Sequence, residues 1–168
     1  PMLKICINDG NETITALIFD ATKNVTGLGK HDRFLLQLAT ILHEIGKFVD
    51  SKNHTESAYA LIRYTDLVGL DEKDLDIISL TVKLYPKENP YIDPIYSELS
   101  FEKKIIVSKL MSILRIADAL DASHRQKIKK ISVQVVHGIM TISCEVNGDV
   151  SFEEWSFDLR SLGFKHVI

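Results

Sequence analysis

The chain has 168 residues, 45% of them apolar, and 20 Lys and Arg against 23 Asp and Glu leave a formal charge of −3. That describes one or at most two compact domains with a real core, and it excludes a disordered tail and a basic nucleic-acid arm. No apolar run approaches the roughly 18 residues of a membrane helix, and the N-terminus has no basic segment leading into an apolar stretch with a small-residue cleavage site, so a cytoplasmic protein is expected.

Leu3, Ile5 and Ile7 alternate with polar neighbours up to Asp9-Gly10, which fits a short strand or the remnant of a helix. From Asn11, a plausible N-cap, Ile14, Leu17, Ile18 and Val25 recur at helical spacing until Gly27-Leu28-Gly29 stops the helix. That GLG lacks the longer glycine pattern of a phosphate-cradling loop. Residues 31–50 are apolar nearly all round, from Phe34 and Leu35 to Phe48 and Val49, and predict a central buried helix; His31 and Asp32 read as exposed cap residues. Amphipathic helices are predicted near residues 54–66 and 71–84, the second opening with Asp71, Glu72, Asp74 and Asp76, where a helix N-terminus favours negative charge.

Residues 86–98 hold three of the four prolines and predict an irregular loop that packs Tyr91, Ile92 and Tyr96 down on the helices. A second buried helix is expected over residues 101–124, its apolar surface interrupted by Ser108, Lys109, Ser112, Arg115 and Asp118. After His124 the period changes to two: Ile131, Val133 and Val135, a turn at His137-Gly138, then Met140, Ile142, Cys144 and Val146. Asn147-Gly148 is the strongest hairpin signal, so a third strand through Val150 and Phe152 is expected, with Cys144 in the core and Trp155 as a packing anchor. The two cysteines, Cys6 and Cys144, have no CxxC spacing and read as small hydrophobes in a reducing compartment; a metal would have to use His, Asp or Glu. The fold class is therefore α+β, mainly α: a helical body over residues 1–125, then a small antiparallel sheet over 126–168 packed on it.

Ionisable groups on apolar helices need partners, because unpaired buried charge costs several kcal/mol. His43, Glu44 and Lys47 on one helix, and Arg115 and Asp118 on the other, therefore form either an internal polar site or a satisfied ion-pair network. HEIGK at residues 43–47 is no zinc-protease motif, since Lys47 stands where the second histidine would be. Arg115, Arg125, Lys127, Lys129 and Lys130 face only Asp118 and Asp121 in the stretch 115–130, a local excess of cations in an acidic chain. With His124 they suit a polyanion; the same run also suits the solvated C-terminal end of a helix.

The runs LLQLATILHEIGKFVDSKNHTESAYALI, LRIADALDASHRQKIKKI and ISVQVVHGIMTISCEVNGDVSFEEWSFDL resemble the C-terminal half of the exopolyphosphatase and guanosine-pentaphosphate phosphatase (Ppx/GppA) family, over roughly residues 11–165. The resemblance implies an HD-domain-like helical body with a C-terminal sheet. It also implies an accessory region that binds polyphosphate or a guanosine polyphosphate and mediates homodimerisation; the cation run then gives Arg115, His124, Arg125, Lys127 and Lys130, with Lys47, as the polyanion contacts. The family's chemistry belongs to an actin-like N-terminal half whose Gly-rich loops this sequence does not show; no membrane and no specific nucleic-acid partner is expected. The alternative is a metal-dependent HD-type phosphohydrolase. In that reading His43 and Asp118 stand at ligand positions for a divalent ion such as Mg or Mn, Glu44 replaces the aspartate of the His-Asp pair as ligand or base, and His54 could complete the set. Tyr85 stands where the family often has a histidine.

Overall fold

The computed structural model describes residues 14–164 and Val167. The expectations for residues 1–10 and for the Asn11 cap lie outside the described residues. Among the described residues, seven α-helices and a two-stranded antiparallel sheet fall into two compact units, one comprising residues 30–112 and the other the described residues of 1–29 and 113–168.

The unit of residues 30–112 contains α2 (Lys30–Leu42), α3 (His54–Tyr64), α4 (Glu72–Leu84), α5 (Pro94–Ser97) and the first part of α6 (Phe101–Leu120). Its core is built from Leu35, Leu36, Ala39, Ala58, Ile77 and Ile78, all fully or nearly fully buried. Each such large aliphatic side chain contributes about 1.5–3 kcal/mol by leaving water. The acids at the start of α4 do what the dipole argument requires: Asp71 accepts the Asp74 backbone N–H at 2.8 Å, and Lys83 sits in the last turn. Asp93 does the same for α5, accepting from the Ile95 N–H at 2.9 Å ahead of Pro94 at the first helical position.

Three expectations for this unit are corrected. Residues 31–50 are not one buried helix: α2 ends at Leu42, a 3₁₀ turn covers Ile45–Phe48, and Ile41, Phe48 and Val49 are 70%, 93% and 66% exposed. The break follows from Gly46, where a Cβ would lie 1.8 Å from the His54 carbonyl oxygen, so the 3₁₀ turn and the start of α3 meet backbone to backbone. Residues 86–98 are not wholly irregular: a 3₁₀ turn covers Pro90–Ile92 and α5 covers Pro94–Ser97; Tyr91 and Tyr96 meet edge to face at 5.4 Å, but Tyr91 and Ile92 are exposed rather than packed down. His31 is exposed as expected, yet it bonds outward from the α2 start, its Nε2 lying 2.7 Å from Asp74 Oδ1.

The other unit contains α1 (Ile14–Thr26), the end of α6, β1 (Ile128–Val136), β2 (Ile139–Val146) and α7 (Ser151–Ser161). α1 packs against β1 and stops at Gly27, whose φ of +68° closes the last turn through a Gly27 N–H to Lys23 carbonyl bond. The hairpin turns at His137-Gly138, with φ of 51° and 76°, the left-handed pair that a two-residue turn requires. Register pairs Ile131 with Cys144, Val133 with Ile142 and Val135 with Met140, and so collects the apolar residues on one face. Between Ile128 and Lys130 the register shifts by one, and Lys129 is the extra residue of a β-bulge.

Here the third strand is corrected to a helix. Asn147-Gly148 does not start a hairpin; Asp149 instead accepts from the Ser151 backbone N–H at 2.9 Å, and α7 begins with Glu153 and Glu154 in its first turn. The alternation through Val150 and Phe152 was too short to outweigh that helix start. Trp155 is 60% exposed and Cys144 is also exposed, so neither is the core residue expected.

Candidate functional site

The end of α6 is tied to α7 by a network of buried acids. Asp121, 2% exposed, takes the Gln126 backbone N–H on Oδ1 at 3.0 Å, while its own carbonyl accepts from His124 N–H at 2.8 Å. These bonds fold residues 121–126 into a tight turn in which His124 and Gln126 adopt left-handed φ values of 54° and 50°. Burial pushes the Asp121 carboxyl above the ordinary carboxylate range. Glu153 reaches into the same turn from the first turn of α7, accepting from the Ser123 hydroxyl and, at 3.3 Å, from the Ser123 N–H, and pairing with Lys127 Nζ at 3.0 Å. Burial raises its pKa, but the Ser123 and Lys127 donors outweigh that and hold the carboxyl below its usual value. One α-helical step up α6, Asp118 pairs with Arg160 of α7.

This network divides the cations read from the sequence. Lys127 is 18% exposed and committed to Glu153. Arg115 is half-buried on α6. His124 and Arg125 are exposed on the turn, and Lys129 and Lys130 are exposed at the start of β1. Lys130 faces Glu145 across the ladder at 2.9 Å, with both side chains about 60% exposed, a pair that water and salt weaken. Lys47 belongs to the other unit and lies 2.5 Å from Glu44. Lys129 is the bulge residue of β1 and belongs to the same exposed cation run.

In the unit of residues 30–112, His43 is 1% exposed and its Nδ1–H donates to the Thr40 carbonyl at 2.7 Å. Its Nε2 lies 3.8 Å from Glu44 Oε1, and Tyr85 meets the ring edge to face with centroids 5.8 Å apart. The sequence reading thus named both members of a real contact, His43 and Tyr85, without foreseeing that they touch. Asp118 belongs to the other unit, and among the described residues no group of three or more His, Cys, Asp or Glu lies together to hold a metal ion. His43 and Glu44 alone fall short of the three protein ligands of a typical catalytic metal site. No helix among the described residues is long and apolar enough to cross a membrane.

The described residues are mainly helical with a short antiparallel ribbon, and buried carboxylates brace a cationic turn beside it. Residues 11–154 match the family model of domain III of the Ppx/GppA phosphatases, and the chain belongs to that family. No curated protein matches the chain.

Proposed function

We propose that this domain III is a polyanion-holding module that presents inorganic polyphosphate, or a guanosine polyphosphate, to a phosphatase. The observation that supports it is the exposed run His124, Arg125, Lys129 and Lys130 on a turn whose backbone is braced from beneath by Asp121 and Glu153. A turn fixed in advance loses little conformational entropy when it takes up a ligand, and cations spaced along a turn and a strand suit charge repeated along a chain. Lys127 supports the brace and is not a contact in this reading. Homodimerisation belongs to the same proposal, since two copies of the turn would raise the effective concentration of cations along one long polyanion.

The test is calorimetric titration of the EDTA-treated chain with medium-length polyphosphate at two salt concentrations. Four phosphate contacts predict a log–log salt slope of about −2 to −3 by analogy with single-stranded nucleic acid. Reversal of Arg125, Lys129 and Lys130 to glutamate should abolish the heat. Affinity indifferent to salt and to that reversal would overturn the proposal.

A further inference from the structure

Helix α7 is amphipathic in the reverse of the usual sense. Its inward side carries Glu153, Ser156 and Arg160, engaged in the buried network or packed beside it, while Phe152, Trp155, Leu159 and Leu162 are 51%, 60%, 56% and 63% exposed. The spacing of these four is 3-4-3, the seam that one helix offers to another in a coiled coil. Phe152 and Trp155 stack with centroids 5.9 Å apart. On its other flank α7 stands off from the apolar face of the hairpin, leaving clefts of about 460 and 700 Å³ that meet at Phe157 and Asp158. Ile142, Cys144 and Val146 line the first and Val135 and Met140 the second. Between stripe and clefts, Glu154 and Asp158 are exposed, and neither is in an ion pair among the described residues.

An acidic ridge with apolar surface on both sides is complementary to one kind of occupant. Burying the stripe against a purely apolar partner would leave Glu154 and Asp158 desolvated without compensation, and a second α7 would bring like charges together. A partner with Lys or Arg flanking an apolar face satisfies both the ridge and the stripe. We propose that the α7 ridge and its clefts are the docking surface for a basic, amphipathic helical segment of a protein partner. This proposal does not rest on polyanion binding, although Glu153, which braces the cationic turn, also lines the first cleft.

Trp155 is the sole tryptophan in the chain, so its emission reports on the stripe directly. The probe is a synthetic amphipathic Lys/Leu peptide of about 18 residues, compared with its Glu/Leu counterpart and titrated into the full chain at low micromolar concentration. Saturable binding of the Lys/Leu peptide with a blue shift of Trp155 is expected, with at least tenfold weaker binding of the Glu/Leu peptide. Glu154→Lys with Asp158→Lys should weaken the Lys/Leu peptide at least tenfold, and the milder pair Glu154→Gln with Asp158→Asn several-fold, with circular dichroism unchanged. Reversal of the same number of acids at Asp66 and Glu88, both exposed in the other unit, should change affinity less than twofold. Equal binding of both peptides, no binding at all, or equal loss from the Asp66 and Glu88 reversal would overturn the proposal. So would a blue shift that follows protein concentration without peptide, which would make a second copy the occupant.

Discussion

In residues 30–112 several charge pairs lie at the surface: Lys73 and Glu102 are 3.0 Å apart and 50% and 70% exposed, and Lys83 meets a half-exposed Glu56 at 2.7 Å. In the unit that ends the chain, Lys127 and Glu153 are 18% and 4% exposed, and Asp118 and Arg160 are 13% and 34% exposed. The outer charges of the first unit contribute little, and beside them lie partly covered pairs such as Asp76 with Arg63 and Lys103, each side chain about a quarter exposed; none is as deeply buried as Glu153. The second has spent its polar groups on the inside and turned a hydrophobic stripe outward. Buried charge is a poor source of net stability, but breaking it is expensive, so Glu153 and Asp118 tie α7 to the end of α6 and its turn through contacts that are costly to lose.

The sharpest way to break this comparison is at Gly46. Replacement by alanine should destabilise the chain by about 3 kcal/mol or more, because the new methyl group meets the His54 carbonyl and the Ala58 N–H rather than a yielding side chain. Urea unfolding followed by circular dichroism measures it; a loss under about 1 kcal/mol would show that the 3₁₀ turn does not depend on that close approach.

Glu153→Ala should cost about 3 kcal/mol by stranding Lys127 and the Ser123 hydroxyl. Because the Glu153 carboxyl is held below its usual value, its contribution is present above the unfolded carboxylate pKa and lost as pH falls through the lower folded one. The variant should therefore lose part of the acid-dependent destabilisation seen in the parent chain.

Asp121→Asn tests the opposite sign in the same turn. The Asp121 carboxyl is raised by burial, so its ionisation works against the fold as pH climbs from the ordinary carboxylate range through the raised value. Relative to the asparagine variant, the parent should be more stable at pH 3 than at pH 7, as melts at the two values would record. The smallest effect belongs to Lys73→Ala, expected within about 0.5 kcal/mol of the parent. A loss there equal to that of Glu153→Ala would erase the distinction between the two units.

The helices α3 (His54–Tyr64), α4 (Glu72–Leu84) and α6 (Phe101–Leu120) were legible, to within about four residues at their ends, because apolar spacing, acidic starts and proline boundaries agreed with one another. The hairpin was legible from Ile131 to Val146, where the alternation is unbroken. Its turn at His137-Gly138 was legible as well; the miss was Asn147-Gly148, which reads as a second hairpin turn but leads into α7. α7 was missed because its apolar residues face water, so a search for buried stripes misreads them; the 3-4-3 spacing and the two glutamates of the first turn were the signals. At the candidate site, the cation run was visible in the sequence. The commitment of Lys127 to Glu153 was not, since 26 positions separate them and only the fold brings α7 under the turn.

Lys129 is a residue that the β1–β2 ladder does not count. Ile128 and Ile131 point inward on either side of it, and deleting it would leave Val146 opposite Ile128 and Glu145 opposite Lys130 as before. The ribbon can therefore gain or shed a residue here without turning its apolar face inside out, which a length change elsewhere in either strand would do. That makes the start of β1 a place where chain length and charge can change with little penalty to the fold, so its exposed cations can vary independently of the core.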